Sequence, residues 1–190
     1  MKKKYSSANI GIIITSIGES YLDSCIKSIV KQSCKVGQVI VVLPKKNNIS
    51  KTNKNILVLK SKYKNQVYQR CLAKKYLKKK IKIILQLDCK FILEKNSIRD
   101  LIQLWNLKKN KIAGIGFIPK NYRLPKVSLF QKLFNTNSER VGRVLKSGNV
   151  SAWKKNLKYK KVQWLHGGCV SWNLEYCKDI FNRNYPLIEW

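Results

Sequence analysis

The chain has 190 residues, 44% of them hydrophobic, and a formal charge of +31 from forty Lys and Arg against nine Asp and Glu. This length suits one domain with a core of its own, and the apolar fraction excludes an intrinsically disordered chain. No stretch approaches the ~18 apolar residues of a membrane span, and six Cys without a C-x-x-C pair, beside a single His, leave little for a zinc site.

A field of this sign attracts polyanions: nucleic acid, anionic lipid headgroups or phosphorylated substrates. Lys is spread along the whole chain instead of one stripe, and no nucleic-acid motif is recognisable, which counts against nucleic acid. Met1-Lys2-Lys3-Lys4 runs into polar Tyr5-Ser6-Ser7, unlike a secretory leader. Cysteines on apolar faces behave as small hydrophobes, and a reduced, cytoplasmic compartment fits them.

In chain order, Asn9 to Thr15 is a near-continuous apolar run, the pattern of a strand buried on both faces. Ser16 to Ser20 forms a small, polar loop. Leu22, Cys25, Ile26, Ile29 and Val30 then recur at helical spacing, with Lys27, Lys31 and Gln32 on the other face. Gln38 to Leu43 is a second buried strand, and strand–helix–strand with short loops implies a right-handed parallel crossover. A polar Lys/Asn loop over 45–54 leads to a short strand at Ile56–Leu59. A helix is predicted from Asn65 to about Lys79, with Val67, Tyr68, Cys71, Leu72 and Tyr76 on its apolar side.

Lys82 to Asp88 follows, an apolar run ending abruptly in a carboxylate. In open α/β sheets ligands bind outside the carboxyl ends of the strands, which makes Asp88 the first candidate site residue; an Asp there also suits a plain turn. Asn96 or Ser97 can cap the next helix, buried through Ile98, Leu101, Ile102 and Trp105. Lys111 to Phe117 reads as a fifth strand, whose two Gly suggest a bulge or a close backbone approach. Beyond Pro119 the rhythm changes to a long excursion with one short helix near Ser128–Phe134. A strand at Val162–Leu165, the turn His166-Gly167-Gly168 and a short helix around Leu174–Phe181 close the chain. Alternating strands and helices predict a three-layer α/β/α sandwich around a mostly parallel sheet. The expected organisation is one domain over 1–190, with a donor-binding half at about 1–117 and an acceptor-side half at about 118–190.

The chain resembles the family-2 glycosyltransferases, which have the GT-A fold, through motifs that follow in the same order. "IGIIITSIGESYLDSCIKSIVKQ" is similar to the family's opening strand, loop and first helix, and "QVIVV" to its second strand. "VYQRCLA" resembles the helix before the metal motif, "ILQLDCK" the strand that carries D-x-D, and "WLHGGCVSW" the acceptor-side turn. The resemblance implies a GT-A-like, Rossmann-like fold, a nucleotide-sugar donor, and a divalent metal (Mg or Mn) on its diphosphate. It further implies a glycan or lipid-linked acceptor in envelope polysaccharide synthesis. It places Thr15, Ser16, Arg70, Asp88 and Lys90 at the donor, Asp88 on the metal, and His166, Gly167 and Gly168 on the acceptor side. An anionic membrane surface at the inner face of the plasma membrane is a further expected partner.

The chain departs from the family pattern at D-x-D, which reads Asp88-Cys89-Lys90. Three possibilities follow: Asp88 alone binds a metal, Lys90 neutralises the diphosphate itself, or the chemistry is lost. Leu43-Pro44 stand where the family has a base-contacting Asp. Glu189 does not sit in the acidic pair that usually holds the catalytic base, which leaves the base unknown.

Overall fold

The computed structural model describes residues 5–45, 55–107, 112–120, 127–134, 136–137, 142–151 and 161–180. The elements are β1 (Ile10–Thr15), α1 (Tyr21–Val30), β2 (Gln38–Pro44), β3 (Ile56–Ser61), α2 (Gln66–Lys75), β4 (Ile83–Asp88), α3 (Ser97–Leu107), β5 (Gly114–Gly116), α4 (Leu129–Leu133) and β6 (Cys169–Asn173). The strands form one sheet in the order β3-β2-β1-β4-β6-β5. The pairs β1–β2, β1–β4 and β2–β3 are all parallel. Asn173 N–H donates to Ala113 O and Phe117 N–H to Cys169 O, the pattern of an antiparallel pair that makes the sheet mixed at this edge. The expected α/β, Rossmann-like fold is what the chain adopts.

Two compact units divide the chain: Met1–Gly114 with Ser171–Trp190, and Ile115–Val170. In the first, every residue of β1 and β2 is buried, as parallel strands covered on both faces require. Side chains alternate across the pleat. Ile13, Ile40, Val42 and Ile84 therefore share one face, where they cluster with Ala73 of α2 and with Ile81. The helix α1 buries Leu22, Cys25, Ile26 and Ile29, and α3 buries Ile98, Leu101 and Trp105. Before β2 the chain passes so close to its own start that a Cβ on Gly37 would lie 2.1 Å from Ala8 O.

Several expected elements differ in detail. Gln32, assigned to the solvated face of α1, is buried. Its Nε2 donates to Ser28 O and Glu94 O while its Oε1 accepts from Ile98 N–H, one of the unpaired donors at the start of α3. Val30, assigned to the buried stripe, is 51% exposed. The helix α2 ends at Lys75, four residues before the predicted stop, because buried Gln38 brackets its end, donating to Tyr76 O and accepting from Lys78 N–H. No strand forms at Val162–Leu165. There Gln163 N–H donates to Gly142 O, Gln163 Oε1 accepts from Val144 N–H, and Trp164 Nε1 donates to Ser151 O, so these polar groups serve a loop instead of a ladder. Residues 174–180 form successive turns in place of the expected short helix. Glu189, Phe181 and most of the 45–54 loop lie outside the described residues.

Candidate functional site at the carboxyl ends of β1 and β4

The strand order reverses between β1 and β4: β2 and β3 extend the sheet to one side of β1, and β4 to the other. Such a switch point opens a crevice at the carboxyl ends of the two strands. Thr15 and Asp88, the last residues of the two strands, stand opposite each other in the β1–β4 register.

Thr15 and Ser16 are both buried. Ser16 N–H donates to Val42 O, its Oγ donates to Glu19 Oε2 at 2.9 Å, and that Oγ accepts from Gly18 N–H. Gly18 has φ +93°, a conformation that side-chain-bearing residues rarely adopt. Glu19 Oε2 also accepts from Cys89 Sγ at 2.9 Å and from Ile17 N–H at 3.4 Å. One carboxylate thus ties the loop after β1 to the turn after β4. The Cys89 hydrogen bond, followed by those from Ser16 and Ile17, lowers the Glu19 pKa against a smaller desolvation effect. Burial, then the Glu19 bond, pushes the Cys89 thiol up to about 11. Cys89 is therefore a neutral thiol at physiological pH and a poor nucleophile.

Asp88 is held by α2. Asn65 caps this helix, its side chain accepting from Tyr68 N–H at 2.9 Å. Gln66 Nε2 donates to Asp88 Oδ1 at 2.7 Å, and Arg70 Nη2 lies 3.5 Å from the same oxygen. Gln66 and Arg70 are four apart, one turn of the same helix face. The side chains of Arg70 and Asp88 are 15% and 35% exposed. Burial draws the Arg70 pKa down and Asp88 offsets part of that. Among the described residues no hydrogen-bond partner reaches buried Arg70 Nε, and a donor left unpaired in that setting favours a ligand oxygen or a water beside it. Gln69, buried between these two residues in sequence, donates to Ser16 O at 3.4 Å. Lys90 is exposed in the turn closed by Phe91 N–H donating to Asp88 O.

These groups do not suit Mg²⁺ or Mn²⁺. Hard dications take several oxygen ligands, whereas Asp88 Oδ1 already serves Gln66 and Arg70, and Lys90 follows two residues on. Glu19 Oε2 is spent on three donors. Among the described residues no group of three His, Cys, Asp or Glu is placed to hold a metal.

A groove of about 630 Å³ lies beside α1 within the same unit, bordered by Lys27, Lys31, Lys95, Ser24, Ile92 and Leu93. Its walls are fixed by Leu93 N–H donating to Ser28 Oγ and Ser33 N–H donating to Lys95 O. Among the described residues its lining contains no carboxylate.

His166, Gly167 and Gly168 belong to the second unit. Gly168 N–H donates to His166 Nδ1 at 3.2 Å in a turn that runs into β6. His166 is half-buried, Gly167 exposed and Gly168 buried. Of the expected donor-site residues, Thr15, Ser16, Arg70 and Asp88 gather at the switch point, with Lys90 in the adjoining turn. Glu19, Gln66, Gln69 and Cys89 join them although the sequence did not single them out. The signal for Glu19 was scarcity, since it is one of nine acidic residues in the chain and follows the end of β1 by four positions.

No protein-family model matches the chain, and no curated protein matches it. Among solved structures, the 4-diphosphocytidyl-2C-methyl-D-erythritol synthase of Anaerococcus prevotii is similar over 95% of this chain and 78% of its own. The TM-score is 0.54 and the identity 13%. TarS of S. aureus, as its fragment 1–349, matches over 50% of this chain and 31% of the fragment at 17% identity and TM-score 0.40. A longer TarS structure matches the same share of this chain over 19% of its own length, at TM-score 0.38. The first of these likenesses shows the shared α/β, Rossmann-like fold.

Proposed function

We propose that the chain is a glycosyltransferase that moves a sugar from a nucleoside-diphosphate sugar to a glycan or lipid-linked acceptor of the cell envelope. One observation carries this reading: Asp88, held by Arg70 and Gln66, stands opposite Thr15 at the switch point of the sheet. In the transfer, the bond from the sugar's anomeric carbon to the diphosphate oxygen breaks and the diphosphate leaves with the electron pair. The acceptor oxygen bonds to that carbon. Arg70 and Lys90 supply positive charge for the departing diphosphate, the task the family resemblance gives to a metal. A guanidinium fork and an ammonium are both effective phosphate partners. Asp88 orients Arg70 and leaves part of its carboxylate accessible for donor hydroxyls. The acceptor-side role of His166, Gly167 and Gly168 belongs to the same proposal. The acceptor hydroxyl gives up its proton to solvent water as the new bond forms.

Calorimetric titration of UDP and GDP, in EDTA or Mn²⁺, tests this on wild type, Asp88→Ala and Lys90→Ala. The expected result is binding in EDTA that weakens at least about tenfold in each variant, the scale of one charge-assisted contact. Binding that requires Mn²⁺ and vanishes in Asp88→Ala restores the metal to Asp88 and overturns the metal-free part. Failure of both nucleotides to bind under either condition overturns the transferase reading. Binding without turnover across nucleotide-sugar donors favours a non-catalytic relative.

A further inference from the structure

In the second unit, α4 presents an apolar face to solvent. Leu129 is 80% exposed, Phe130 74%, Leu133 75% and Phe134 65%. At about 100° per residue these four side chains fall within one arc, and Gln131 and Lys132 point away from it. Isolated scattered apolar residues need no explanation, but a contiguous cluster of two Phe and two Leu marks an interaction surface.

The helix is built before any partner arrives. Five residues are too few for stability on propensity alone. A capping box supplies the missing donors and acceptors: Gln131 N–H donates to Ser128 Oγ and Ser128 N–H donates to Gln131 Oε1. Phe134 N–H donates to Phe130 O, extending the turn past Leu133.

Charge selects the partner. Between residues 118 and 150 the sequence carries Lys120, Arg123, Lys126, Lys132, Arg140, Arg143 and Lys146 against one carboxylate, Glu139. Two copies of a chain at +31 repel each other, which disfavours burial of this face against a second copy. An anionic bilayer attracts the same charge and accepts Phe and Leu at its headgroup–acyl boundary. We propose that α4 is a membrane-docking helix that dips Leu129, Phe130, Leu133 and Phe134 into an anionic phospholipid surface. This inference stands on α4 alone and does not depend on the transferase reading.

The test is co-sedimentation of the full chain with vesicles of phosphatidylcholine containing about 30% phosphatidylglycerol, comparing wild type with the double variant Phe130→Ser/Phe134→Ser. Net charge is unchanged, so the comparison isolates the apolar face from the electrostatic field. Wild type is expected to partition at least about tenfold more strongly, from the apolar area two Phe withdraw from water. Phe130→Trp is expected to blue-shift on binding and to be quenched by lipids brominated along the acyl chain. Equal binding of wild type and double variant overturns the proposal, because the charge alone then accounts for it. No binding of wild type also overturns it. So does a wild-type dimer that the double variant dissociates, or a fall in Tm in the double variant, which means that the face packs against protein.

Discussion

The loop after β1 and the last residue of β4 each bring one carboxylate to neighbouring strand ends, and the two are held in opposite ways. Glu19 is surrounded by neutral donors, the Ser16 hydroxyl, the Cys89 thiol and the Ile17 amide, all on one oxygen. Asp88 is held by a guanidinium and an amide from α2. Neutral donors close on Glu19 and use it up as a clasp. The guanidinium that faces Asp88 has no partner at Nε among the described residues, so that pair retains capacity for a ligand. Two chemically similar groups in one crevice are thereby separated into a structural role and a binding role.

Breaking the Asp88 side has the largest expected effect. Asp88→Ala strips Arg70 of its counter-charge and costs about 1–2 kcal/mol in urea denaturation, a figure kept low because Asp88 is partly solvated. The same change weakens nucleoside-diphosphate binding as stated above. Breaking the Glu19 side is milder. Glu19→Gln keeps the shape but not the charge that three donors share, at a cost of about 1 kcal/mol, and it leaves nucleotide affinity within about threefold of wild type.

The pH dependence sharpens the comparison further. Glu19 has a lowered pKa in the folded chain. Its contribution is complete above the ordinary carboxylate pKa of ~4.3 and is lost as pH falls through the lowered folded value. Acid melting curves of wild type are therefore expected to steepen below the ordinary carboxylate range, with that part of the loss flattened in Glu19→Gln. The smallest effect is on the thiol. Cys89, raised to about 11, contributes stability that is complete below the unfolded thiol pKa of ~8.5 and is lost as pH rises to about 11. At pH 8 it is expected to resist iodoacetamide, and Glu19→Gln, by removing the adjacent charge and bond, accelerates its alkylation several-fold. A Cys89 that reacts equally fast in both proteins breaks the clasp interpretation.

What was legible in the sequence follows from what period and termination can encode. The continuous apolar runs of β1, β2 and β4 were legible because parallel strands buried on both faces have few alternatives. Asp88 stood out because it ends such a run. The helix α2 was legible in existence but not in orientation. Its expected apolar side included Val67 and Tyr76, which are exposed, while Gln69 and Ala73 are its buried residues. Cys71 and Leu72 do pack against the core cluster. A buried Gln is invisible to hydrophobic periodicity, since what admits it is a carbonyl from another segment, Ser16 O. The same holds for Gln32 and Gln38, whose amides satisfy helix ends distant in sequence. The late strand was misplaced because Val162–Leu165 has strand composition but spends its polar groups on the 142–151 loop.

The strand β1 is hydrogen-bonded along both edges and buried at every position, whereas the loop that begins at Ser16 leaves the ladder after one backbone bond to Val42 O and is then held by the side chains of Ser16, Glu19 and Gln69. The floor of the crevice and its rim therefore keep different clocks. Amide protons of Ile12 to Thr15 are expected to exchange only when the sheet opens, and those of Ile17 and Gly18, bonded to Glu19 Oε2 and Ser16 Oγ, through smaller openings of the loop. A ligand that touches only Asp88 and Arg70 is expected to leave both sets unchanged, so slowed exchange at Ile17 and Gly18 on adding a ligand would mark one that reaches across the crevice to the loop.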